Sequence, residues 1–218
     1  MSHLFPPWPT LSAFIVASLV LAITPGPGVF YIVSRSLVQG RRSGIVSVLG
    51  IALGNLGNAL AASLGLAALF AVSSLAFAIV KYAGAAYLVY VGARMLFSRT
   101  DSAAPTAMVP PSRVFRDALV VSLLNPKTTI FFAAFLPQFV TTPAASMRQS
   151  LALGMLFVLI ALVTDGLYAL CAGSVSRVLA RGGAGRIGRR LGGGLFIGLG
   201  LFTALSGARG GSATTTVR

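Results

Sequence analysis

The 218-residue chain has no glutamate and three aspartates, Asp101, Asp117 and Asp165. It has one histidine, His3, and one cysteine, Cys171. A single cysteine forms no intrachain disulfide and no thiolate metal cluster. A Ser-His-Asp or Cys-His site would depend on His3, which sits near the N-terminal end among prolines. Carboxylate-rich calcium or magnesium sites lack ligands as well. An integral-membrane enzyme acting on lipid head groups and a heavy-metal exporter both need clustered acids, histidines or thiols, and both are set aside. No metal, no cofactor and no enzymatic chemistry are expected.

Apolar residues are abundant instead. They make up 56% of the chain, charged residues only 9%, and there are 25 glycines. Soluble domains run at about 45–50% apolar and about 25% charged, so a soluble globular enzyme is excluded. The net charge of +14 comes from 17 Lys and Arg. These lie in short clusters between long apolar runs, a pattern that reads as membrane topology rather than as a nucleic-acid-binding face.

A helical crossing takes about 20 apolar residues. Six spans are predicted: Leu11–Val33, Gly44–Phe70, Phe77–Phe97, Val114–Phe139, Gln149–Gly173 and Leu191–Ser206. The first differs from a signal peptide in having no cation before Arg35 and in running on through Thr24-Pro25-Gly26-Pro27-Gly28 to Val33. The fold class is therefore an all-α integral membrane protein. One transporter domain is expected over residues 11–206, in halves 11–97 and 114–206, with short tails at 1–10 and 207–218.

Twelve of the 17 cations fall in alternate loops. Arg35, Arg41 and Arg42 follow span one; Arg99, Arg113 and Arg116 follow span three, with Arg94 at the edge of that loop; Arg177, Arg181, Arg186, Arg189 and Arg190 follow span five. The positive-inside rule then places these loops in the cytoplasm and both termini outside a bacterial cytoplasmic (inner) membrane.

Two blocks of three spans, an odd number, lie in opposite orientation if they are repeats, and an inverted 3+3 repeat is expected. Pro25 breaks the first span and Pro126 the fourth. Proline removes a backbone donor, and the freed groups are tolerated in hydrocarbon only where they face protein or a wet cavity. Thr24-Pro25-Gly26-Pro27-Gly28 holds more prolines and glycines than one kink requires. Asn125-Pro126-Lys127 sets an amide, a helix break and a cation together inside span four. Half-helix ends of this kind suit the carboxylate and ammonium of a zwitterion. The plainer reading is that both prolines only shape their helices.

Lys127 lies about 18 Å into its span, too deep for easy snorkelling, and is read as a buried functional or ion-paired lysine. Asp165, the one acid deep inside a predicted span, is a candidate for proton coupling, with a loop-edge pairing to Arg177 as the alternative. Asn55 and Asn58 lie one turn apart and either line a cavity or glue helices together. Gly50 and Gly54 read as helix packing on the same span. The glycines Gly192, Gly193, Gly194 and Gly198 suit packing within one chain or across a homodimer.

Two segments resemble the signatures of the LysE/RhtB amino-acid exporter family. Ile23-Thr24-Pro25-Gly26-Pro27, followed by Gly40-Arg41-Arg42-Ser43-Gly44, is similar to the first. Leu124-Asn125-Pro126-Lys127, then Phe131-Phe132 and Phe135-Leu136-Pro137-Gln138-Phe139, is similar to the second. Gly84-Ala85-Ala86-Tyr87-Leu88 with Gly92 looks like the family's third-span pattern. The resemblance implies export of amino acids or close derivatives, in exchange for protons. It implies a substrate path bracketed by Pro25, Gly26, Pro27, Asn125, Pro126 and Lys127. Members often carry Asp or Asn where this chain has Gly28, so one polar group is missing here. Asn55, Asn58 and Asp165 rest on their own positions in the spans.

The expected protein is thus a secondary transporter exporting neutral amino acids by proton antiport with alternating access. The competing reading is a gradient-independent facilitator or channel for small polar solutes.

Overall fold

The computed structural model describes residues 4–64, 74–97, 109–141 and 146–180, with isolated positions between 193 and 205. The predicted sixth span, the C-terminal tail, His3 and the cations Arg99, Arg181, Arg186, Arg189 and Arg190 lie largely or wholly outside the described residues. Those described form helices and no strands: α1 (Trp8–Ile23), α2 (Pro27–Ser63), α3 (Ser74–Phe97), α4 (Pro111–Leu123), α5 (Pro126–Ile130) and α6 (Ser146–Ala180). A π-helical stretch, Phe131–Phe135, and a 3₁₀ turn, Leu136–Phe139, follow α5 directly.

By length and composition, Pro27–Ser63 and Met147–Val175 suffice to cross a membrane, and Pro111–Leu123 with Pro126–Phe139, bent by 44°, forms a third candidate. The first of these is not a straight rod. Gly40 has φ +78°, which removes it from the helical region. A Cβ on Gly28 would touch Ile51 at 3.4 Å, whereas a continuous helix would hold these residues about 35 Å apart. The chain therefore doubles back at Gly40, and α2 consists of two antiparallel arms, 27–39 and 41–63. Glycine supplies the left-handed backbone that this reversal needs.

Small residues set the register of the other helices. A Cβ on Gly154 would meet Ala59 Cβ at 2.7 Å, and one on Gly173 would meet the Arg41 backbone at 2.9 Å, so α6 runs antiparallel to the 41–63 arm. Gly50 lies against Ala118 and Gly54 against Ser122, so α4 runs parallel to that arm. The small-xxx-small pattern of Gly50 and Gly54 is thus helix packing. On α3, Gly84 abuts the Leu124 carbonyl while Tyr87 reaches back to Asp117, an antiparallel pairing with α4. Gly193 packs inside the chain, against Gly92 and Leu96, whereas a Cβ on Gly194 or Gly198 would meet none of the described residues within 4 Å.

Two buried layers result. One contains Tyr31, Ile32, Val48, Ile51, Leu88, Val91, Val114, Ala118, Val121 and Ala169. The other holds Phe14, Ala59, Phe131, Phe132, Leu136, Leu153, Phe157 and Ala161, with edge-on rings such as Phe132 against Phe157 at 5.1 Å. Many large apolar side chains point outward, among them Val16, Leu49, Leu159 and Val163, as lipid-facing helices require. At the Gly40 end, Arg41 donates to Ser174 Oγ at 2.7 Å, and Arg42 shares a cavity with Val109, Pro110 and Pro111. Basic segments distant in sequence meet there.

Candidate functional site

Both expected breaks are present, and they face each other. Helix α1 ends at Ile23, and α2 resumes at Pro27 with proline in its first turn, where no amide partner is needed. The second break is built by the Asn-Pro-Lys sequence itself. Asn125 is the N-cap of α5, its Oδ1 accepting from the Lys127 amide at 3.1 Å, and Pro126 takes the first helical position. Thr128 and Thr129 hydroxyls donate back to the Asn125 carbonyl at 3.2 and 3.0 Å.

Lys127 joins the two breaks. Its ammonium donates to the Leu21 carbonyl at 2.6 Å and to the Thr24 carbonyl. These carbonyls belong to the C-terminal end of α1, where a cation is favoured by the helix dipole. The neighbouring Ile23 carbonyl accepts from the Tyr168 hydroxyl at 2.8 Å. The Leu21, Ile23 and Thr24 carbonyls at the open end of α1 thereby find side-chain donors, as backbone at membrane depth requires. Gly26 makes this approach possible, since a Cβ there would stand 3.0 Å from Lys127 Cδ.

A small cavity of about 40 Å³ lies at this junction. Its polar lining is Asn55, Asn125, Lys127, Thr128 and Asp165; its apolar lining includes Leu21, Val29, Ile51, Phe157 and Ala161. Asp165 is 6% exposed and Asn55 4%. A volume of this size holds roughly two or three waters. The aromatic layer, through Phe157 and Ala161, bounds it on one side; the other layer, through Ile51, bounds it on the Gly40 side.

The candidate residues are distributed unevenly around this cavity. Gly26, Asn55, Asn125, Lys127 and Asp165 line it. Pro25 is exposed and Pro27 buried, and neither is among the lining residues; Pro126 is half-buried behind Asn125. Asn58 donates to the Ser122 carbonyl at 3.0 Å and so ties the 41–63 arm to α4. Asn55 Oδ1 accepts from Ser122 Oγ at 2.9 Å while still facing the cavity. Gly28 also lines the cavity, so the missing polar group would have stood there.

Two features escape the sequence reading. Tyr168, which caps α1, has no motif around it. Arg35, assigned above to a loop, is 5% exposed and pairs with the buried Asp117 at 3.6 Å. Among the described residues no three His, Cys, Asp or Glu side chains converge to hold a metal ion.

Apolar helices that enclose an ammonium, a carboxylate and two amides at paired helix breaks make the anatomy of a membrane transport protein. The chain belongs to the LysE-type translocators, whose family model matches residues 19–207; members of this family are transporters, not enzymes. It is 32% identical over 134 residues to a leucine efflux protein of Salmonella choleraesuis, covering 60% of this chain and 63% of that protein. The chain thus matches a little under two thirds of that relative's length. It is 33% identical over 162 residues to a homoserine/homoserine lactone efflux protein of Salmonella typhimurium, covering 73% and 79% respectively. An uncharacterized membrane protein of Vibrio cholerae is 29% identical over 198 residues, 90% of this chain and 97% of its own. No solved structure matches the chain significantly.

Proposed function

We propose that the protein exports neutral amino acids or close derivatives from the cytoplasm by proton antiport, through alternating access to the cavity at the two breaks. The observation that carries this reading is that Lys127 and Asp165 line one cavity, among aliphatic and aromatic groups. A zwitterion needs a cation for its carboxylate and an acceptor for its ammonium. Lys127 serves the first, and Asp165 with Asn55 and Asn125 the second. Gly26 gives Lys127 its approach, while Pro25, Pro27, Pro126 and the Asn58 bridge hold the broken helices in register. The apolar part of the lining favours an uncharged side chain. The names of the efflux relatives point to the same substrate class.

Asp165 carries the coupling proton in this scheme: bound substrate ammonium and proton compete for one carboxylate, which is what exchange requires. The cavity has room for water but not for an amino acid, so loading requires it to widen, which the parting of either layer provides. The two halves act as an inverted 3+3 repeat; in support, α1, the 27–39 arm and α6 run one way while the 41–63 arm and α4 run the other. The basic Gly40 end faces the cytoplasm of the inner membrane, which leaves both termini outside.

Uptake of labelled amino acids into inverted membrane vesicles tests the substrate class. Saturable uptake of leucine or homoserine, competed by other neutral amino acids and weakly by lysine, is expected. Linear, unsaturable flux would favour the facilitator instead.

A further inference from the structure

The layer between the cavity and the Gly40 end holds a charge pair that the transport reading leaves unused. Arg35, on the 27–39 arm, and Asp117, on α4, meet at 3.6 Å with side chains 6% exposed. The guanidinium also donates from Nε to the Tyr31 hydroxyl at 3.2 Å and lies 5.2 Å from that ring's centre. The Tyr31 hydroxyl donates in turn to the Val114 carbonyl at 3.1 Å, and Tyr87 of α3 donates to Asp117 Oδ1 at 3.2 Å. Three elements are tied together at one level, each by a group reaching the pair. Arg35 lies about 10 Å beyond Gly28 along its arm, and Asp117 about 12 Å before Asn125.

We propose that Arg35 and Asp117 form an ionic latch that keeps the Gly40 end of the path shut. The inference rests on reading the cavity as part of that path. A buried ion pair adds little stability over an apolar pair of similar size, because desolvation offsets the attraction. Its value lies in making the closed state easy to leave: when the layer opens, water enters and both charges regain hydration. An apolar pair has no such compensation and holds the layer closed. A single charge left without its partner pushes the other way, since burial then goes uncompensated.

The test measures access rather than transport. In a Cys171→Ser background, Ala161→Cys places one thiol in the cavity, and its alkylation by a membrane-impermeant maleimide is timed from either face of oriented vesicles. A separate Arg42→Cys protein marks which face carries the Gly40 turn. Asp117→Asn should speed alkylation from that face by roughly tenfold or more and leave the other face unchanged. Arg35→Met with Asp117→Leu should slow it below the parent rate, and this variant remains informative if Asp117→Asn folds poorly. Arg35→Asp with Asp117→Arg should return it towards the parent. Unchanged alkylation in Asp117→Asn, an equal rise from both faces, or an apolar pair as reactive as the parent each overturns the latch. The readout needs no substrate, so a failure to transport amino acids leaves the latch result standing.

Discussion

Replacing Lys127 with methionine removes the one ammonium that spans the two breaks while keeping a chain of similar length. Two charge-assisted hydrogen bonds are lost, to the Leu21 and Thr24 carbonyls. Bonds of this type are worth about 1.5–3 kcal/mol each, so the loss is roughly 3–6 kcal/mol. Asp165, which lines the same cavity, also loses its cationic neighbour. That penalty overlaps with the first, because a single charge is removed, and the two are not summed. Against a stability of about 5–15 kcal/mol this is a large fraction. A loss of about 3 kcal/mol from the substrate-loaded state alone lowers transport by about 100-fold. Thermal unfolding in detergent and uptake by inverted vesicles read the two consequences separately. Lys127→Met should unfold at a lower temperature and show about 100-fold less uptake. Adding Asp165→Asn removes the stranded carboxylate and should recover part of the thermal loss but none of the uptake. Full stability and full uptake in Lys127→Met, or no recovery in the double variant, would refute the reasoning.

Packing and cavity chemistry make further predictions. Gly50→Leu drives a side chain into the Phe115 carbonyl, 2.5 Å from the added Cβ, and should cost about 1–3 kcal/mol or more in thermal unfolding. Gly194→Leu meets none of the described residues within 4 Å and should stay within about 0.5 kcal/mol of the parent; equal losses at the two sites would contradict the helix register. Gly40→Ala encounters no neighbour among the described residues, only the backbone cost of its φ +78° conformation, about 1–3 kcal/mol, and a much larger loss of stability would mean that the turn is crowded. Gly28→Asp has ordinary room against Ile51 at 3.4 Å and puts a second carboxylate in the cavity. It should raise the ratio of lysine to leucine uptake; an unchanged ratio would mean that residue 28 does not meet the substrate.

The breaks were legible in the sequence because proline and glycine act locally. Pro25 and Pro27 cannot continue the helix that ends at Ile23, and Asn125 followed by Pro126 suits the N-cap and first position of a new helix. Lys127 and Asp165 stood out by depth alone, since an ionisable group far inside an apolar run has few cheap explanations. Gly50 and Gly54 were legible for a similar reason: small residues four apart invite a neighbour. Facing was not legible. These helices are apolar on nearly every side, so no polar stripe tells which face turns inward. That is why Asn58 and Asn55 could not be separated, although one bridges to Ser122 and the other lines the cavity. Arg35 lies five residues before the Gly40 turn, and Asp117 lies in the second turn of α4. Counting charges by position assigned Arg35 to a loop, whereas rotation about the helix axis turns it inward onto Asp117. Tyr168 was hidden for another reason: its partner is a main-chain carbonyl created only when α1 ends at Ile23.

The account's central claim is that substrate and proton exchange at the Asp165 carboxylate. The direct measurement is leucine transport by purified protein in proteoliposomes, as accumulation under an imposed proton gradient and as exchange of labelled for unlabelled leucine without one. The parent protein should do both, and Asp165→Asn should keep exchange while losing gradient-driven accumulation. Accumulation by Asp165→Asn equal to the parent's, or parent transport indifferent to the gradient, would contradict the claim.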